Sequence, residues 1–137
     1  TIQLQYLKLL KKLQRETGTA ILFITHDFGV VARMCDRVAV MYAGRIVEIA
    51  PTADIFERLA HPYTQALLSA VPHTDATRRR ERILLSGEMP DPAKPPGGCA
   101  FHTRCRHAMP RCSVERPLLV PRAVEGGAVR ETACHLY

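Results

Sequence analysis

The sequence predicts an α/β fold carrying a helical hairpin and a small, irregular, cysteine-rich C-terminal extension. Three observations point there. A helix-periodic stretch runs directly into a short, continuously apolar segment, which is half of an α/β unit. Two extended runs follow, joined by a tight turn. Four of the five cysteines then crowd into a tail with little apolar periodicity.

The elements are justified in chain order. From Ile2 to Glu16, apolar residues recur at helical spacing (Ile2, Tyr6, Leu9, Leu10, Leu13), with Lys8, Lys11, Lys12 and Arg15 turned elsewhere. Gly18 supplies the stop. Thr19–Thr25, TAILFIT, reads as a strand covered on both faces in a parallel sheet. Beyond His26, the stretch Phe28–Met34 predicts a short helix that Asp27 or Thr25 can cap. Arg37–Tyr42 and Arg45–Ile49 predict a hairpin turning at Ala43 and Gly44. Pro51 and Thr52 open a helix through Leu59, with Asp54 and Glu57 near its positive end. A second helix starts at Pro62, which suits the first helical position, and runs to about Ala70 before Pro72 ends it.

From His73 to Arg82 the chain turns polar and charged, the composition of a linker. Pro90 to Gly98 follows, stiff in its prolines and pliable at Gly97 and Gly98, and delivers the chain to Cys99. The expected organisation is an α/β lobe over 1–50, a helical hairpin over 51–72, a linker over 73–98 and the cysteine-rich extension over 99–137.

Bulk properties narrow the classes. A chain of 137 residues buries one modest core. With 47% hydrophobic and 23% charged residues it folds rather than staying disordered. Its longest apolar runs, Ala20–Ile24 and Val38–Tyr42, fall far short of the roughly 20 residues that span a bilayer. The chain opens in helix-like sequence without Met or a signal segment, so we expect a piece of something longer. The net charge of +6 does not mark a nucleic-acid binder, because the basic residues are dispersed. The exception, Arg78, Arg79, Arg80 and Arg82, is interrupted by Glu81 and has no aromatic neighbours, as expected of a solvated linker with no nucleic-acid partner.

His26 falls at the predicted carboxyl end of a strand, where ligands of parallel α/β sheets bind. An imidazole there can donate to a phosphate oxygen or hold a water in line. Spacing alone equally allows an inert, hydrogen-bonded strand cap.

The segment ILFITHDFGVVARMCDRVAVMYAGRIVE resembles the stretch of ABC transporter ATPases that bears the switch histidine and the hairpin after it. HPYTQALLSAVP and LLSGEMPDPAKPPGGCAFHTRC are similar to the C-terminal extension of oligopeptide and dipeptide importer subunits. The resemblance implies that residues 1–50 are the C-terminal part of a P-loop ATPase domain of the ABC type. It implies that His26 contacts the γ-phosphate and helps hold the attacking water. The complete parent would use ATP and Mg²⁺. Its partners would be a second ATP-binding subunit, membrane-spanning permease subunits and, indirectly, a peptide-binding protein, with the subunit peripheral at the cytoplasmic face of the inner membrane. The family's phosphate loop, glutamine loop, LSGGQ signature, Mg²⁺-binding aspartate and catalytic glutamate would lie upstream of Thr1. A lone histidine cannot replace them, so the chain by itself is expected to be inactive. Leu85–Glu88, LSGE, is a decoy of that signature: it follows the histidine and runs into prolines instead of opening a helix.

Cys99, Cys105, Cys112 and Cys134 lie in a tail that cannot stabilise itself by burial alone, and four thiols suggest a staple. The cytosolic location implied by the resemblance argues against disulfides and leaves a metal site. The spacing C-x5-C-x6-C-x21-C lacks the paired C-x2-C of common zinc ribbons. A four-thiolate iron–sulfur cluster tolerates wider spacing, yet spacing alone does not choose between cluster and zinc. The resemblance implies a 4Fe-4S cluster, with zinc the alternative, for which His102, His107 and His135 are nearby. Arg104 and Arg106 read as solvated surface arginines, with an offset of thiolate charge as the alternative, and Cys35, set apart in an apolar helix, reads as core packing. A reading from another class is a free-standing metal-binding or protein-interaction module.

Overall fold

A computed structural model describes residues 2–72, 81–122 and 129–137. The first part of the expected linker, 73–80, including Arg78, Arg79 and Arg80, lies outside the described residues. The chain divides into two compact units, residues 1–36 and 37–137.

The first unit holds α1 (Ile2–Thr17) and α2 (Phe28–Met34). α1 ends as its sequence dictates, with Gly18 at φ 66° and its N–H on the Gln14 carbonyl. Lys11 Nζ donates to the Met34 carbonyl at 3.1 Å, tying α1 to the end of α2. Asp27 is the cap of α2: its Oδ1 accepts from Gly29 N at 2.8 Å and Val30 N at 3.1 Å. Thr25 acts one step earlier, its Oγ1 accepting from Asp27 N.

The predicted strand over 19–25 does not form. Leu22 is 88% and Ile24 94% exposed, and α1 buries none of its side chains. A strand exists only when its backbone N–H and C=O groups find a ladder, and an apolar run records a preference for one without supplying it.

The second unit is built on a four-stranded sheet of β1 (Arg37–Tyr42), β2 (Arg45–Pro51), β3 (Val120–Arg122) and β4 (Arg130–Thr132), in the order β1-β2-β4-β3. Every pairing among the described residues is antiparallel: β1 and β2 form the expected hairpin, and the parallel sheet expected around 19–25 does not appear among them. The hairpin turn explains the first pairing: Ala43 and Gly44 both take positive φ, 46° and 74°, the twist that suits a two-residue connection. Register slips at Val40/Met41, which oppose Glu48 and Ile46 and leave Val47 as the extra residue of a bulge. The Val47 carbonyl accepts from Ala133 N at 2.9 Å, while Glu48 and Ile49 pair with Thr132 and Glu131. The cysteine-rich tail thus supplies half of the sheet that the hairpin begins.

α3 (Thr52–Glu57) and α4 (Pro62–Ser69) form the expected helical pair, α3 ending two residues early as Arg58 leaves helical geometry at φ −128°. His61 caps α4, its Nδ1 accepting from Tyr63 N at 3.1 Å. The core gathers Tyr42, Ile55, His61, Thr64 and Phe101, all almost fully buried. Tyr42 meets Tyr63 at 4.6 Å and Phe101 at 5.1 Å between ring centroids, both edge-on, a geometry that adds about 1 kcal/mol per pair beyond area burial.

Candidate functional site

The four tail cysteines converge although they span much of the tail. Gly98, at φ 68°, turns the chain so that Cys99 N donates to the Cys112 carbonyl at 2.8 Å. Cys112 is buried on the short helix α5 (Pro110–Val114), which Pro110 opens. Between Cys99 and Cys105 the chain makes a single 3-10 turn, His102–Arg104, closed by His102 N on the Cys99 carbonyl and Cys105 N on the His102 carbonyl. Phe101, 1% exposed, anchors that turn against Tyr42 and Tyr63. Cys134 arrives from the other direction, two residues past the end of β4. All four line one recess together with His61, His102 and His135. All four are free thiols, Cys112 buried and the others half-buried.

Burial pushes the thiols of Cys99, Cys105 and Cys134 up, and neighbouring cysteines push them the same way. Arg106 opposes this weakly at Cys105. A cation bound at Cys99, Cys105 and Cys134 would have to displace protons that their burial holds in place. Among the described residues, no three His, Cys, Asp or Glu side chains are arranged to hold a single metal ion. The histidines are engaged as well: one ring nitrogen of His102 lies 2.8 Å from the Cys99 carbonyl and one of His135 2.8 Å from the Glu115 carbonyl. His107 Nε2 accepts from Arg106. Arg104 donates to the Ser86 carbonyl, and Ser86–Glu88 opens no helix.

Behind the recess lies a buried polar knot that the sequence did not announce. Glu48 is fully buried; its Oε2 accepts from His61 N at 3.1 Å, and its Oε1 lies 3.5 Å from Arg130 Nη1. Arg130 also donates to the Arg58 carbonyl, and Tyr137 Oη donates to the Ala60 carbonyl at 2.9 Å. The knot ties β2, the α3–α4 turn and β4, which leads into Cys134. Burial pushes the His61 imidazole down to about 4, the Ala133 backbone pulling weakly upward, so the ring is neutral at physiological pH.

His26 stands in the first unit, exposed, between Thr25 and the capping Asp27. Cys35 is half-buried there, its thiol raised chiefly by burial. No helix among the described residues is long and apolar enough to cross a membrane.

Residues 47–112 match the family model of the oligopeptide/dipeptide transporter, C-terminal region. The chain is 51% identical over 136 residues to a probable peptide ABC transporter ATP-binding protein, y4tS, of Sinorhizobium fredii, covering 99% of this chain and 37% of that protein. It is 48% identical to the putative oligopeptide transport ATP-binding protein YkfD and 45% identical to the oligopeptide transport ATP-binding protein AppF, both of Bacillus subtilis, each match covering all of this chain and 41% of the relative. The chain therefore spans about two fifths of the length of the curated relatives it matches.

Proposed function

We propose that the chain, whose residues 47–112 match the oligopeptide/dipeptide transporter C-terminal-region family, is the C-terminal part of the ATP-hydrolysing subunit of a peptide-importing ABC transporter. The observation that carries this reading is identity near one half sustained along the whole chain to proteins named as peptide-transport ATP-binding proteins. The complete subunit binds ATP and Mg²⁺, pairs with a second ATP-binding subunit, and sits peripherally on the cytoplasmic face of the membrane against its permease subunits. A peptide-binding protein delivers the substrate to those permeases.

In this reading His26 serves the nucleotide. Its exposed ring, on a turn fixed by the Asp27 cap, is free to donate to a γ-phosphate oxygen and to hold the attacking water in line. Positioning of this kind contributes about 100-fold or more to rate. In the complete parent, His26→Ala is expected to lower ATP turnover by roughly that factor while leaving nucleotide binding measurable. An unchanged turnover number removes His26 from the mechanism.

The cysteine recess serves the fold. Cys99, Cys105, Cys112 and Cys134 would hold a 4Fe-4S cluster, whose donor set is four thiolates around a body larger than one ion. What supports the fit is that the four free thiols line one recess. Bound there, the group supplies a cross-link between the turn after Gly98, α5 and the end of β4. Its role is structural, since the tail has little core of its own to close it.

A further inference from the structure

The chain segment carrying Cys99 crosses the end of α5, which carries Cys112, at unusually short range. A Cβ built on Gly98 would lie 2.8 Å from the Ser113 carbonyl carbon and 2.9 Å from Val114 N, and closer still to the Cys112 carbonyl oxygen. Real Cβ atoms do not approach backbone this closely, and none of these atoms can swing aside as a flexible side chain would. Gly98 also sits at φ 68°, where only glycine is unstrained. The crossing is what allows the Cys99 N–H to reach the Cys112 carbonyl at 2.8 Å.

The geometry points to Gly98 as a positioning residue for the cysteine set: its missing side chain lets the Cys99 strand lie on the α5 backbone and so fixes the separation of the first and third thiols. This rests on the reading of the four cysteines as a metal-holding set. It goes beyond that reading by assigning the geometry to a residue that contributes no ligand. A cluster tolerates little error in where its thiolates start, so an added methyl that lifts Cys99 off α5 acts on the ligand set without removing a ligand.

Two other glycines separate the causes. Gly87 has the same backbone demand, φ 75°, with nothing within 4 Å of an added Cβ, so Gly87→Ala carries the conformational strain alone. Gly97 lies beside Gly98 without positive φ, and its Cβ would meet only Ser113 O at 3.3 Å, so Gly97→Ala is a small local perturbation.

The test has two readouts in the full chain. The first is iron and sulfide content, with the visible spectrum, after anaerobic reconstitution with ferrous iron and sulfide. The second is hydrogen exchange of the Cys99 amide without metal. The expected result is that Gly98→Ala retains roughly a tenth or less of the wild-type iron and loses protection at the Cys99 amide, the scale on which outer-shell changes act on metal sites. Gly87→Ala and Gly97→Ala should keep both. Wild-type iron content and spectrum in Gly98→Ala overturn the inference. So does an unprotected Cys99 amide in the wild-type chain, a result that stands even where Gly98→Ala fails to fold. Wild-type protein that takes up no iron while its Cys99 amide is protected overturns both the metal-holding reading and the positioning role, and leaves only a tight chain crossing.

Discussion

In residues 2–36 only Val31 and Met34 are buried, and Leu22, Ile24 and the apolar stripe of α1 face outward. In residues 37–137 the hairpin, the helical pair and the tail bury Tyr42, Ile55, His61 and Phe101 almost completely. Both stretches are rich in apolar residues at regular spacing, yet only the second closes a core. The difference is one of partners. β2 finds β4, Tyr42 finds Phe101 and Glu48 finds Arg130, each across a long stretch of chain. Periodicity states which face of an element wants cover, and tertiary structure decides whether cover is present.

The contrast is broken most forcefully by removing one half of the buried ion pair. Glu48→Ala leaves the guanidinium of Arg130, 5% exposed, without its counter-charge, and is expected to cost about 3–5 kcal/mol. Urea melts of the chain measure it, with hydrogen exchange assigning the loss to residues 37–137 and leaving α1 unchanged. A cost below about 1 kcal/mol would show that the tail is not anchored through this pair.

Acid sharpens the same contrast by a smaller amount. His61 has its imidazole lowered from 6.5 to about 4, so the folded state binds fewer protons than the unfolded one in that window. Stability should be level above about pH 6.5 and fall as pH drops toward 4, by about 3 kcal/mol in all. The variant His61→Gln should lose this slope. A melt in which wild type and variant show the same pH dependence between those limits would assign the acid sensitivity elsewhere.

Much of the second unit was legible beforehand because its signals are local. The Ala43–Gly44 turn, Pro62 at the start of α4 and the crowding of cysteines each rest on a few adjacent residues. The same holds for α1, Gly18 and the Asp27 cap in the first unit. The antiparallel addition of β4 to β2 was not legible, since no short-range signal couples residues so far apart. Nor was the knot of Glu48, His61 and Arg130, whose members are individually ordinary surface types. The strand over 19–25 was misread for the converse reason: its composition is strand-like, but a ladder is a property of two segments. In the candidate site, the crowding of the four cysteines was visible in the sequence, whereas the close crossing at Gly98 and the packing of Phe101 on Tyr42 needed coordinates.

Whether the four thiols act as one ligand set is measured most directly by the metal content of the chain purified without oxygen. Iron and acid-labile sulfide near four each per chain, with a broad visible absorption lost in a Cys112→Ala variant, is the expected result. Colourless protein, or zinc in place of iron, would contradict it.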